Sequence, residues 1–280
     1  MSYKINKGHL MSVEGLSFVI TGGAAGIGAG TARLAASRGA KVVVSDMNDA
    51  AGEVLVEEII AAGGKAVFQH CDVTNESEVE ALMSAAAKAF GGIDILHNNA
   101  GIHESMIGGD LSLEGMSRDT FEKVMGVNVT GAWLCAKYAL PYLRDSDCAS
   151  IINAGSTSSL TGYPQCQAYG ASKGAIMQLT KMLAVDLAPD SIRVNCYCPG
   201  SIHTQLVDNF LAAAPDPKAM LNTMTQTHLV PRMGKPVDVA SLVCFLASPE
   251  SEFVNGAVWG IDGGSLAWRG TLDVLGMEVE

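Results

Sequence analysis

Short apolar, β-prone runs take turns along the whole chain with longer stretches whose apolar residues recur at helical spacing. The runs at 16–21, 41–45, 66–70, 93–97, 150–154, 192–196 and 257–261 each have the length of a strand, and turn residues follow most of them closely. Between them, 49–62 places Ala51, Leu55, Ile59 and Ala62 on one helical face and stops at Gly63-Gly64. Segment 74–90 turns Val79, Leu82, Met83, Ala86 and Phe90 inward, with Thr74 or Asn75 as its N-cap. Further helices are expected at 118–139, carrying Asn128 and reaching Pro141, at 167–187 and at 236–247. Segment 102–117, with Gly108-Gly109, reads as an irregular surface loop. Segment 203–228 is weakly amphipathic and broken by Pro215 and Pro217, which suits a mobile helical lid. Seven strands alternating with helices through short links imply right-handed crossovers and one doubly wound parallel sheet, an α/β fold with helices on both faces. No repeat, linker or low-complexity segment interrupts the pattern. A single domain over 1–280 is expected, with a core at 16–264, a lid at 203–230 and a tail at 265–280.

Composition narrows the function classes. With 48% hydrophobic and 17% charged residues, the 280-residue chain is globular and can bury a large core. Eighteen basic against 29 acidic residues give a net charge of -11, and no Lys/Arg cluster stands against it. A nucleic-acid partner is therefore not expected, and an anionic ligand must be held by backbone amides and helix ends. No apolar run reaches eighteen residues, so no membrane span is expected, and residues 1–15 lack the apolar core of a signal peptide. The seven cysteines, at 71, 135, 148, 166, 196, 198 and 244, have no paired spacing. They read as reduced thiols of a cytoplasmic protein. Cys196 and Cys198 point the same way from one strand without a second pair, and the six histidines are dispersed, so no metal site is expected.

Three local features carry chemistry. The first strand breaks into Gly22-Gly-Ala-Ala-Gly26-Ile-Gly28 and then a helix, the order of a turn that lets a diphosphate approach the backbone. Its spacing, G-x-x-x-G-x-G, differs from the commoner G-x-G-x-x-G. The second strand ends at Asp46, about 20 residues on, where a carboxylate accepts from ribose hydroxyls and repels a 2′-phosphate. Neither Ala25 nor Met47 supplies a compensating positive charge, so NAD is expected over NADP. Third, Tyr169 and Lys173 lie four apart, one turn along a helix face. An ammonium beside a phenol is expected to pull its pKa toward neutrality and fit it for proton transfer. Every one of these residues falls at the carboxyl end of a strand or on the following helix, where open α/β sheets bind ligands.

Together with Asp72-Val73, Asn98-Asn-Ala-Gly101, Asn128-Val129, Ser156 thirteen residues before Tyr169, Pro199-Gly200 with Thr204, and Asp262-Gly-Gly264, these motifs make 16–264 resemble the short-chain dehydrogenase/reductase family. The resemblance implies a Rossmann-type single domain and a catalytic set of Asn128, Ser156, Tyr169 and Lys173. Tyr169 would exchange the hydroxyl proton, Ser156 hydrogen-bond the substrate oxygen, Lys173 support the phenolate and the nicotinamide ribose, and Asn128 hold a water in a relay. Cofactor contacts would come from Gly22, Gly26, Ile27, Gly28, Asp46, Asp72, Val73, Asn99, Ala100, Gly101, Tyr169, Lys173, Pro199, Gly200, Ile202 and Thr204. Ser158, Gln165, Cys166, His203, Leu206 and Val207 flank the reacting centre as substrate candidates. The chain departs from the family pattern at His97, an apolar position as a rule, and in its long 102–117 loop and its tail. The implied activity is NAD-dependent oxidation of a secondary alcohol, or reduction of the ketone, on an apolar or cyclic molecule. A 3-oxoacyl thioester reductase and a non-catalytic NAD-binding sensor are the alternatives. A homotetramer, joined through the helices of Asn128 and Tyr169 and through the last helix and strand, is also implied.

Overall fold

The structure, a computed structural model, describes residues 12–268 and 270–277. Residues 1–11, most of the stretch read for a signal peptide, lie outside the described residues, as do the last three of the tail.

Seven strands form one all-parallel sheet: β1 (Ser17–Thr21), β2 (Lys41–Asp46), β3 (Lys65–His70), β4 (Ile95–Asn98), β5 (Ser150–Ala154), β6 (Arg193–Pro199) and β7 (Val258–Ile261). Their order is β3-β2-β1-β4-β5-β6-β7. The chain reverses its direction of travel between β1 and β4, which opens a crevice at their carboxyl ends. Strand β6 runs three residues beyond the sequence expectation because Cys196 to Pro199 find partners in Val258 to Ile261 of β7.

Alternation along each strand sends its residues into two cores. Phe18, Ile20, Val42, Val44 and Ile152 pack with α1 (Gly26–Ser37), α2 (Asp49–Ala61) and α9 (Pro236–Ala247). Val19, Val43, Leu96 and Ile151 pack with α3 (Glu76–Phe90), α5 (Ala132–Leu143) and the C-terminal part of α6 (Gln167–Asp186). Burial on both faces is why these strands read as continuous apolar runs. Asn75 caps α3 by accepting from Ser77 N–H.

The long helix expected at 118–139 is three pieces: α4 (Arg118–Met125), a π-helical turn at Gly126–Gly131, and α5. No periodicity signals the π turn, which widens the helix by one residue where Asn128 enters the interior. Pro141 does not end α5, because it sits on the exposed side where its missing N–H costs little. Segment 203–228 forms two short helices, α7 (Gln205–Ala213) and α8 (Pro217–Thr225), with Pro217 at the first position of the second.

Candidate active site

The floor of the crevice is tied together by backbone groups. Thr21 Oγ1 accepts from the N–H of both Asn99 and Ala100 at 3.1 Å, and Asn99 Nδ2 donates to Thr21 O and Gly22 O at 3.0 and 2.9 Å. These bonds fix the first glycine of the turn against the end of β4. Gly22 has φ +59°, and a Cβ there would come within 2.8 Å of Ala100 Cα. A Cβ on Gly28 would strike Gly22 O. Only glycine fits at both positions. The first turn of α1 has neither a side-chain cap nor an acidic residue, so its amides remain available to an anion.

Asp46 stands at the rim of this turn, its two oxygens accepting from Ala24 N–H and Asn48 N–H at 3.0 Å each. Thr204 closes the opposite side, its Cγ2 lying 3.3 Å from where a Cβ of Gly26 would be. Ile202 is buried and bridges to Gly234, while Gly200 donates to Ile261 O, so the Pro199–Gly200 bend is anchored to β7. Val73 packs against Gly131, and Asp72 Oδ1 accepts from Thr74 N–H and Oγ1. Behind the floor, His97 Nε2 meets Tyr197 Oη at 2.9 Å, and that hydroxyl donates to Asn99 Oδ1. Burial pushes the His97 pKa down to about 3, so the ring is neutral. The unusual polar residue on β4 therefore buttresses Asn99.

The other wall carries the expected proton-transfer residues. Lys173 Nζ, buried, donates to Ala154 O at 2.8 Å and lies 5.5 Å from the Tyr169 ring centroid. A Cβ on Gly101 would sit 3.2 Å from Asn128 Oδ1 and 3.3 Å from Lys173 Nζ, so all three residues meet at one point. Ser156 follows β5, caps the short turn after it by accepting from Ser158 N–H, and lies close enough to the Tyr169 phenol to pull its pKa down. The structure thus brings Asn128, Ser156, Tyr169 and Lys173 together.

The electrostatics differ from the sequence expectation. Burial raises the Tyr169 pKa to about 12, with the Ser156 hydrogen bond pulling it down and Cys166, Cys198 and Glu104 pushing it up. Burial also lowers Lys173 to about 8. Desolvation outweighs the attraction between phenolate and ammonium, so here the proton rests on the phenol. The Asn128 side chain is held on three sides. Its Nδ2 donates to Ile102 O and Ser172 Oγ and its Oδ1 accepts from Ile102 N–H, so the side chain fastens the loop after β4 and is not free to hold a water.

The 102–117 segment is not wholly a surface loop. Its short 3-10 turn at Glu104–Met106 sends Glu104 into the interior, fully buried, where its two oxygens accept from Ala168 N–H and Tyr169 N–H at 3.1 Å. This carboxylate caps the helix that carries the tyrosine. Nothing local in the sequence announces it, since its partners are 64 and 65 residues away. The histidines and cysteines are also less dispersed than their spacing suggests: His103, Glu104 and Cys166 bring one polar atom each within 4.8 Å of one another. Among the substrate candidates, Ser158 and Cys166 share a 3.8 Å contact and line an open cleft of about 460 Å³ beside α6. Gln165 is exposed at φ +53°, and Val207 is buried. His203 is turned outward, its Nε2 2.9 Å from Asp208 Oδ1 and its side chain 65% exposed, which removes it from the reacting centre. The Leu206 side chain lies outside the described residues.

A family model described as enoyl-(acyl carrier protein) reductase, of the short-chain dehydrogenase/reductase type, matches residues 22–265. The chain belongs to the short-chain dehydrogenase/reductase family. Its relatives in that family include an L-fucose dehydrogenase of Oryctolagus cuniculus, 38% identical over 88% of this chain and 84% of the relative. A cis-4-hydroxycyclohexanecarboxylate dehydrogenase of Sinomonas cyclohexanicum is 37% identical over 89% of this chain and 96% of its own length. A 2,5-dichloro-2,5-cyclohexadiene-1,4-diol dehydrogenase of Sphingobium indicum is 34% identical over 92% and 100%. As a member of this short-chain family the protein is an oxidoreductase. No helix among the described residues is long and apolar enough to cross a membrane.

Proposed function

We propose that this protein is an NAD-dependent dehydrogenase that moves a hydride between the cofactor and a secondary alcohol or its ketone, with Tyr169 as general acid and base. The observation that carries the reading is the Lys173 ammonium, beside Gly101 and 5.5 Å from the Tyr169 ring, with Ser156 near the phenol, at the carboxyl edge of the sheet. Two of the relatives are named for ring alcohols, which supports a cyclic substrate.

The residues present fit a dinucleotide. The cradle that a Cβ on Gly22 or Gly28 would fill, together with the free amides of α1 at Gly26, Ile27 and Gly28, suits a diphosphate. Asp46 would take the adenosine ribose, and Asp72 with Val73 the adenine. Asn99, Ala100 and Gly101 would line the middle, and Tyr169 with Lys173 would take the second ribose. Pro199, Gly200, Ile202 and Thr204 would hold the carboxamide end. Bound NAD supplies the hydride acceptor.

The remaining work belongs to the protein. Ser156 orients the substrate oxygen toward the phenol. Tyr169, holding its proton at rest, is set to donate to a carbonyl oxygen in reduction; in oxidation it takes the hydroxyl proton only after giving up its own to solvent. Lys173 provides the positive charge that stabilises the phenolate as it forms. Because the Asn128 side chain is committed to Ile102, a relay water would rest on its backbone. Helices α7 and α8 form the lid. The seven cysteines are free thiols, in keeping with a cytoplasmic setting. A homotetramer is supported by the exposed Phe121 and Trp133 on the α4–α5 face and by Trp259 on edge strand β7.

Titration with NADH and NADPH, followed by a screen of cyclic secondary alcohols with NAD, tests the reading. NADH binding at least about tenfold tighter than NADPH is expected, in line with one charge repulsion at Asp46. Tighter NADPH binding contradicts the cofactor assignment.

A further inference from the structure

This inference rests on the hydride-transfer reading above and concerns what the crevice recognises beside the reacting carbon. His103 follows Gly101 by two residues. Its ring is wedged between the catalytic helix and the lid, with its centroid 4.9 Å from that of Tyr169 and 5.2 Å, edge-on, from that of Phe210 on α7. The side chain is 11% exposed. Ser105 N–H donates to its Nδ1 at 3.1 Å. A ring nitrogen that accepts from a backbone N–H carries no proton, so the neutral imidazole holds its proton on Nε2. Burial pushes the pKa of the ring down against a weaker upward pull from Glu104, which favours this neutral form.

Nε2–H has no hydrogen-bond partner among the described residues, and unlike Nδ1 of His97 it is not sealed in the interior. It is a donor of fixed tautomer on a ring packed against that of Tyr169. The donor is also held in place from behind. Glu104, the next residue, is fastened to the first-turn amides of α6, and Ile102, the residue before, is fastened to Asn128. The ring therefore cannot follow the rest of the loop away from Tyr169. A positioned donor left facing an apolar substrate group is penalised, whereas an oxygen placed opposite it is rewarded.

We propose that His103 is a specificity-determining residue whose Nε2–H donates to a second oxygen of the substrate. The substrate class is then secondary alcohols that carry a further hydroxyl, carbonyl or carboxylate group close to the carbinol.

The test uses the full-length protein, NAD and matched alcohols: cyclohexanol against cis-cyclohexane-1,2-diol and cyclohexane-1,3-diol, and 2-butanol against 2,3-butanediol. The wild type is expected to favour an oxygen-bearing member in kcat/KM by about tenfold or more, the scale of one hydrogen bond. His103→Phe is expected to erase that preference, and His103→Gln, which keeps an N–H donor, to restore part of it. NADH titration verifies the cofactor site in each variant, and His103→Leu takes the place of His103→Phe if the latter does not fold. A wild type that prefers the mono-alcohols, or a preference that survives His103→Phe, overturns the inference and leaves the hydride-transfer reading standing. Absence of NADH formation from every alcohol counts against the hydride-transfer reading itself and removes the inference with it.

Discussion

The two sides of the crevice are built from different material. At the β1–β4 switch point the cradle is backbone: glycines packed against Ala100, amides of α1, and main-chain groups held by Thr21 and Asn99. On the far side the wall is side chains drawn from separate segments, with His103 and Glu104 from the loop after β4, Tyr169 and Lys173 from α6, and Phe210 from α7. A backbone site depends on residues that are absent, since any Cβ fills it. A side-chain site depends on long-range pairs and can change its ligand without changing its fold. The first is suited to a constant cofactor and the second to a substrate that varies between relatives.

That contrast can be broken at several points. The largest stability effect is expected from pH acting on the buttress of the cradle. His97 is held neutral, with its pKa down at about 3 against an ordinary value near 6.5, so the unfolded chain takes up a proton that the native fold refuses. The stability from this group is intact above pH 6.5 and is lost as pH falls toward 3. Denaturant melts at pH 7 and pH 4 should show the wild type losing about 3 kcal/mol more than His97→Phe. Equal losses would show that the buried ring does not couple to folding.

Next comes the cradle itself. Gly28→Ala places a methyl group on Gly22 O, an overpacking worth about 2 kcal/mol of stability. It should also weaken NADH binding by at least about tenfold in a fluorescence titration, because the amides must shift. Gly170→Ala, whose new Cβ would meet only Ser158 O at 3.7 Å, should leave that affinity unchanged.

The smallest effect probes the side-chain wall. Glu104, facing Tyr169 together with Lys173, Ser156, Cys166 and Cys198, raises the phenol pKa. Alcohol oxidation needs the deprotonated phenol, so its rate rises with pH through that pKa. Glu104→Gln keeps an acceptor for the helix amides but removes the charge, and the rising limb of kcat/KM should move to lower pH. An unmoved limb with normal folding would limit Glu104 to capping.

The same division explains how much was legible in the sequence. Strand and helix periods gave the sheet, and the glycine turn, Asp46 and the Tyr169–Lys173 step stood out as candidates because each is local. Glu104 was invisible, since a glutamate in a polar loop looks solvated until a helix from 64 residues away lands on it. The π turn at Asn128 has no period of its own, so Asn128 was placed on a helix without any sign that its side chain is tied to Ile102 and Ser172. His203 failed for a related reason. Its place flanking the reacting centre suggested the pocket, but Asp208 on α7 draws the ring outward. The phenol pKa went astray because spacing reports the neighbouring ammonium and is silent about burial, which wins.

The central claim is that Tyr169 carries the proton in a hydride-transfer site whose cofactor is held elsewhere. Stopped-flow measurement of the first turnover of NADH, in wild type and Tyr169→Phe on the best alcohol of the screen, tests it most directly. The expected result is a loss of about a thousandfold in the rate of NADH formation, within the range for a lost general acid–base, with NADH affinity essentially unchanged. A Tyr169→Phe enzyme that forms NADH at close to the wild-type rate would contradict the assignment.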